Sequence, residues 1–352
     1  MYKIGIISDS IRDQSTGIGY YAREVAKQIK INYPNILYID YQRNSFNKLN
    51  LLLIPLFTRY FKTYSWAHLL PFNIRKTEVE YVINLTGIPH YLKYNQKEVF
   101  FVYDISWLLF WWTHPLSRVI FNLLFFRKTV TSCYKIAVIS QNTKNDLIKY
   151  YHVPEDKIRI IYPNLPKPPS AEKKPSSDIS NNYILYVGTI EPRKNINTLI
   201  KAYSLLYLAN KIQHKLVIAG KNGWKYQSTY KLVHQLGLDS QVIFTGYISN
   251  EEKKYLYTHA DVFVYPSLYE GFGIPPLEAM YYRCPVITTN VSSMPEVVGN
   301  SCKKIDPDDV EGLSSEIYEL ITNRVYRNDV IVKQSRQCKK FMEVSIPKDL
   351  FE

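Results

Sequence analysis

Along most of the chain, short apolar runs alternate with longer stretches in which apolar residues recur at helical spacing. Runs of four or five β-branched, Leu and aromatic residues between turn-formers read as strands. When helices intervene, such strands pair in parallel with both faces covered. In the first half the pattern predicts strands at 3–7, 36–39, 81–84, 99–102, 136–139 and 158–161, and helices at 19–30, 117–132 and 142–151. In the second it predicts strands at 183–187, 215–219, 241–245, 261–265 and 285–288, with helices near 195–209, 225–236, 250–258 and 275–282. Between the halves, the segment 163–182 (PNLPKPPSAEKKPSSDISNN) holds five prolines, which neither a helix nor a central strand tolerates. The expectation is an α/β chain of two doubly wound parallel-sheet domains, 1–165 and 183–352, joined by a linker at 166–182.

Length agrees with this division, since 352 residues exceed one ordinary core and suit two domains of about 150 each. No apolar run reaches the ~18–20 uninterrupted residues of a membrane helix. The run 49–57 is broken by Pro55, and 105–126 contains His114, Pro115 and Arg118. The first residues read directly into a strand rather than a secretory signal, so a cytoplasmic protein, soluble or peripheral, is expected. Cys133, Cys284, Cys302 and Cys338 lack metal-ligand spacing and read as free thiols in a reducing compartment. The seven histidines form no triad or ligand pattern.

Charge changes the picture more. The net +13 is uneven: residues 1–165 hold 21 Lys/Arg against 11 Asp/Glu, a balance of +10, and residues 166–352 hold 23 against 20, only +3. A basic half suits nucleic acid, an anionic membrane or a phosphorylated substrate. No recognised nucleic-acid module is present, and Tyr60, Phe61, Tyr64, Trp66, Trp107, Trp111 and Trp112 lie among the basic residues. That company favours an anionic membrane surface over nucleic acid, although the same aromatics also suit a core.

Three segments sit where open α/β sheets bind ligands, beyond the carboxyl ends of strands. The first is 15–20 (STGIGY), in which Gly17 and Gly19 let backbone amides approach an anion near a helix start. It lacks the third glycine and distant acid of a dinucleotide site. The second is 188–195 (GTIEPRKN), where Arg193 and Lys194 oppose the dipole of the helix that follows unless an anion lies there. The third is 267–279 (SLYEGFGIPPLEA). Pro275 and Pro276 place a helix start near 275, and Gly271, Phe272 and Gly273 offer backbone amides just before it. Glu270 and Glu278 flank that loop, as hydroxyl-accepting carboxylates beside an anion site would. Asp306-Pro307-Asp308 has the look of an acid-x-acid metal motif but reads as a helix start capped by Asp306, so no metal is expected.

At GTIEPRKN (188–195), EGFGIPPLE (270–278) and TGIG (16–19) the chain resembles the family-4 retaining glycosyltransferases of GT-B fold, group 1 type. Weaker likeness covers 136–164, 245–252 and 284–299. The resemblance implies two Rossmann-like domains facing a cleft, the first for the acceptor and the second for a nucleotide sugar. It implies that Glu278 binds the ribose, that Glu270 with the amides of 271–273 holds the transferred sugar, and that Arg193 and Lys194 neutralise the departing diphosphate. Gly188 belongs to that donor site, and Gly17 and Gly19 close on it from the first domain. The nucleotide sugar, GDP- or UDP-linked, is then a co-substrate, with no metal or other cofactor. GTIEPRKN is similar to mannosyltransferases of the family, which makes GDP-mannose the first expectation. The implied acceptor is a lipid-linked oligosaccharide in bacterial surface polysaccharide or lipopolysaccharide assembly, used at the inner face of the plasma membrane.

Two departures bear on this. Many relatives have His-Asp where this chain has Tyr103-Asp104, so Asp104 is kept as a sugar contact while a proton-transfer role at 103 is in doubt. The tail 337–352 is short and polar where the family has a longer returning helix, which implies looser docking. Both departures also suit a non-catalytic nucleotide-sugar-binding protein of the same fold.

Overall fold

The computed structural model describes residues 3–7, 17–39, 78–90, 95–165, 167–177, 179 and 182–351. Ser15, Thr16, Tyr60, Phe61, Tyr64, Trp66 and the run 49–57 lie outside them. In the first half, β1 (Ile4–Ile7), β2 (Ile36–Ile39), β3 (Tyr81–Asn84), β4 (Lys97–Val102), β5 (Lys135–Val138) and β6 (Ile158–Ile160) form one sheet. Its order is β2-β1-β3-β4-β5-β6, and every pair is parallel. In the second, β7 (Tyr183–Val187), β8 (Lys215–Ala219), β9 (Val242–Gly246), β10 (Val262–Tyr265), β11 (Val286–Thr289) and β12 (Lys304–Ile305) form another, ordered β12-β11-β10-β7-β8-β9. It too is parallel throughout.

The expected strands are present with ends shifted by at most two residues, the clearest being runs covered on both faces within the sheets. β7, β10 and β11 are buried at every position. Local chemistry sets several helix ends. Ser140 accepts the Thr143 N–H ahead of Gln141–Tyr151, and His152 closes that helix in the left-handed conformation. Ser249 and Glu252 form a reciprocal capping box at the start of Asn250–His259. The helix Val310–Thr322 follows the start read at Asp306 but begins a turn later, and Arg324–Cys338 was not among those expected. The cap of the first is Asp309, which accepts the Gly312 N–H at 2.7 Å. Asp306, the expected cap, instead turns onto the Asp308 N–H at 3.3 Å.

The chain divides into two units, 1–163 with 344–352, and 164–343. The boundary falls close to the expected one, but two assignments change. From 164 on, the described part of the proline-rich segment belongs to the second unit: the Lys173 N–H donates to the Glu251 carbonyl, and Lys254 Nζ to the Pro169 carbonyl. The end of the tail, 344–352, expected to extend the second domain, belongs to the first. Leu350 and Phe351 are fully buried there. The Phe351 ring packs edge-on against Tyr33 and Tyr81 at 5.0 and 5.4 Å, Tyr81 donates its hydroxyl to the Phe351 carbonyl at 2.6 Å, and Arg159 pairs with Asp349. A tail that is polar on average still anchors through two adjacent apolar residues.

Phe351→Ala empties a filled site and is expected to destabilise the first unit by about 3–5 kcal/mol. Thermal denaturation should show one transition falling by several degrees while that of the second unit stays in place. An unchanged profile would mean that the tail is not part of that core.

Candidate active site

In the second sheet the chain runs outward from β7 through β8 to β9, then returns to lay β10 on the other side of β7. The point where strand order reverses leaves a crevice at the carboxyl ends of β7 and β10. The two sharpest sequence motifs are the loops that leave these two strands. Their floor is a pair of buried tyrosines, Tyr186 of β7 and Tyr265 of β10, stacked with centroids 5.8 Å apart.

Arg193, Lys194 and Glu270 meet on that floor. Lys194 Nζ donates to Glu270 Oε1 at 2.6 Å and to the Tyr265 hydroxyl at 2.8 Å. Arg193 Nη1 lies 3.2 Å from Glu270 Oε2 and donates to the Tyr269 carbonyl, while Nη2 donates to Glu191 Oε1 at 2.7 Å. Lys194 and Glu270 are each only 8% exposed. Burial alone would raise the Glu270 carboxyl, but the charges of Lys194 and Arg193 outweigh it and hold the group down at about 2. Burial, with the Arg193 charge beside it, pulls Lys194 below its usual value despite the nearby Glu270 carboxylate. Two cations face two carboxylates, so the anion that explains a basic pair before this helix is, in this structure, Glu270 itself with Glu191 beside it.

Glu278 lies one turn into the helix Ile274–Tyr281 and is equally buried. Lys253 Nζ donates to its Oε1 at 2.5 Å and the Tyr257 hydroxyl to its Oε2 at 3.1 Å. The two glutamates thus carry separate cation partners. Lys253, Tyr257 and Tyr265 had no signal in the sequence, because their roles come from a neighbouring helix and a strand end. Gly271, Phe272 and Gly273 form the turn between the glutamates. Gly273 has φ +116°, and a Cβ there would come within 2.3 Å of Met294 Cε. The turn is pinned from β11 and the segment after it. Ser293 Oγ donates to the Glu270 and Phe272 carbonyls, Ser292 Oγ accepts the Glu270 N–H, and Thr289 Oγ1 donates to the Ser267 carbonyl. With Pro275 and Pro276 lacking N–H groups, the donors near this helix start come mainly from the turn rather than the first helical turn.

The Gly188 loop is laced to its neighbour. The Gly188 N–H donates to Ala219, Ile190 N–H to Lys221, and Gly223 N–H to Ile190. Gly220 has φ +150°, and a Cβ there would stand 2.0 Å from the Gly188 carbonyl oxygen, so only glycine permits this approach. In the first unit, Gly17 begins the helix Gly17–Asn32 and Gly19 is buried within its first turn. Asp104 follows β4 and accepts from the Ser106 N–H and hydroxyl at 2.9 and 2.8 Å, bracing the short helix Ser106–Leu109. Tyr103 donates its hydroxyl to the Leu85 carbonyl at 2.5 Å, and burial raises its pKa. All four cysteines are free. Among the described residues, no group of three or more His, Cys, Asp or Glu is placed to hold a metal ion.

Comparison with known proteins adds to this geometry. Residues 169–337 match the family described as Glycosyl transferases group 1. The chain is 33% identical to O-antigen chain mannosyltransferase B of Escherichia coli, over 72% of this chain and 68% of that one. It is 33% identical to O-antigen chain mannosyltransferase RfbU of Salmonella typhimurium over 57% of this chain, and spans about half of that relative (55%). Against the serotype-specific mannosyltransferase WbdA of Escherichia coli it spans 27% of the relative's length, at 32% identity. Among solved structures, WaaG, a glycosyltransferase involved in lipopolysaccharide biosynthesis, superposes with TM-score 0.69 at 16% identity, covering 96% of this chain and 95% of that one. HepE of Anabaena, with UDP and glucose, gives 0.66 at 18% identity, covering 97% and 96%. At such identities these two show the fold, and the two-unit parallel α/β architecture is that of GT-B glycosyltransferases.

The held-down Glu270 carboxyl links stability to pH. A carboxylate whose folded pKa lies below its ordinary 4.5 stabilises the fold above pH 4.5, and that contribution is lost as pH falls toward about 2. Glu270→Gln leaves Lys194 without its carboxylate and Arg193 with Glu191 alone, and is expected to cost about 3–5 kcal/mol at pH 7. Urea denaturation of the variant should also show a shallower loss of stability than the wild type between pH 4.5 and 2. Equal slopes would refute the assignment.

Proposed function

The chain belongs to the group 1 glycosyl transferases, and on that premise we propose that it moves mannose from GDP-mannose onto a lipid-linked glycan, retaining the anomeric configuration. The observation that carries the proposal is the Glu270–Lys194–Arg193 cluster at the strand-order reversal, a buried carboxylate kept ionised between two cations. The donor class and the setting, O-antigen or capsule assembly, are supported by the mannosyltransferases to which the chain is similar. UDP-linked sugars are the competing donors.

In this reading the bond between the anomeric carbon and the diphosphate oxygen breaks as a bond to the acceptor hydroxyl forms. The acceptor proton passes to the leaving phosphate oxygen, and GDP departs. Charge grows on the diphosphate as this happens. Lys194 and Arg193 can share their hydrogen bonds with it, and their low-dielectric setting makes those bonds worth most where charge develops. Glu270 stays ionised and accepts hydrogen bonds from hydroxyls of the transferred sugar. The amides of Gly271, Phe272 and Gly273 line the same turn, and Gly188 allows close approach beside it. Glu278 takes the ribose hydroxyls, exchanging part of its bonding to Lys253 and Tyr257. Gly17, Gly19 and Asp104 belong to the acceptor-side unit, where Asp104 contacts a sugar hydroxyl. The two cations supply the leaving-group charge that a metal supplies elsewhere, so turnover should persist in a chelator. Because the acceptor is lipid-linked, the protein works as a peripheral protein at the inner face of the plasma membrane. No helix among the described residues is long and apolar enough to cross a bilayer.

Transfer assays with a panel of GDP-, UDP-, ADP- and dTDP-sugars test the reading. Lys194→Ala and Glu270→Ala are expected to lower kcat by ~10²–10³-fold with modest change in KM. Glu278→Ala is expected to weaken donor binding by ~10-fold or more. Product NMR should show the donor's anomeric configuration, and added EDTA should leave the rate unchanged. Donor binding without turnover across acceptors would instead favour the non-catalytic reading. The Tyr103 hydroxyl, spent on the Leu85 carbonyl, already suits a structural role at that position.

A further inference from the structure

The helix Leu116–Ser132 divides its apolar residues between two environments. Val119, Phe126 and Val130 are buried, the latter two in the core with Phe100 and Trp107. Leu116, Ile120, Leu123 and Leu124 are instead 48–65% exposed. Their spacing of i, i+4, i+7 and i+8 puts them on one stripe. The preceding 3-10 turn Trp111–Thr113 packs against the helices on either side of it. It adds Trp111 and Trp112, 55% and 47% exposed, with rings 6.1 Å apart and edge-on. Single exposed apolar residues need no explanation, but six large ones in adjoining turns do.

The stripe ends in charge. Arg127 lies within roughly 20° of Leu116 around the helix, Lys128 follows it, and both are exposed. From 105 to 134 the sequence contains Arg118, Arg127 and Lys128 and no Asp or Glu. A second copy of the chain would bring like charges together on this face. An anionic surface complements it, and Trp at the edge of an apolar stripe suits the boundary between headgroup and acyl chain.

We propose that Trp111, Trp112 and the exposed stripe of this helix form a docking face for an anionic phospholipid bilayer, with the helix lying in the interface plane. The inference rests on the membrane-associated acceptor proposed above and supplies the surface that reaches it. The apolar side chains enter the acyl boundary, and Arg127 and Lys128 meet the headgroups.

Co-sedimentation of the full chain with vesicles tests this without donor or acceptor. Binding to phosphatidylcholine vesicles containing phosphatidylglycerol is expected to exceed binding to phosphatidylcholine alone by ~10-fold or more, and to weaken with salt. Ile120→Ser with Leu124→Ser should weaken binding to both by ~10-fold. Arg127→Glu with Lys128→Glu should abolish the preference for the anionic vesicles. Transfer to a water-soluble acceptor and the Tm should stay at wild-type values in all variants. The proposal is overturned if the wild type ignores vesicles or the variants bind as it does. It is equally overturned if sedimentation velocity finds a dimer that the serine variant splits without losing vesicle binding. Vesicle binding intact with transfer absent would reject the catalytic reading and leave the docking face standing.

Discussion

The second unit is organised around one constraint, that the buried charges of Lys194 and Glu270 must satisfy each other. Neither is tolerable alone at its depth, and together they need fixed geometry to offset desolvation. That geometry is set by backbone. Lys194 and Arg193 come from the loop after β7, Glu270 from the loop after β10, and the two strands are hydrogen-bonded neighbours because the sheet reverses its order there. The stacked Tyr186 and Tyr265 then provide a floor, with the Tyr265 hydroxyl bonded to both partners.

The close approaches around that cluster follow from glycine and serine. Gly220 admits the Gly188 carbonyl to a place where any side chain would collide, and Gly273 makes room for Met294. Ser292 and Ser293 hold the turn between the two glutamates by its backbone, so the carboxylates are aimed before any ligand arrives. A site assembled this way is rigid where charge is concentrated, the condition under which fixed dipoles and cations stabilise a transition state without reorganising. The same cluster gives the basic pair Arg193-Lys194 a second reason to exist. It balances Glu191 and Glu270 within the fold.

The first unit distributes its chemistry differently. Its sheet closes with the tail, whose Phe351 completes the core near Tyr33 and Tyr81. Asp104 braces a short helix, and the neighbouring helix leaves an apolar stripe in water. Arg127 and Lys128, two of the basic residues of this half, lie exposed at the end of that stripe.

Most of the architecture was legible in the residues. Runs such as YILYV at β7 and VFVY at β10 announce covered strands, because a parallel strand buried on both faces has no polar alternation to confuse. The helix start at 274 was legible from Pro275 and Pro276, and the two glutamates from their place around Gly271 and Gly273. Arg324–Cys338 was not legible, since its apolar residues hardly repeat at helical spacing, and neither was Phe351, whose partners Tyr33 and Tyr81 lie 270 residues or more away. Above all, the sequence by itself determined which charges are present at the strand ends, because motif and turn chemistry are local. Only the tertiary structure decided that Glu270 pairs with Lys194 and Arg193 while Glu278 pairs with Lys253. Partner choice among buried charges depends on which strands become neighbours, and no local pattern carries that.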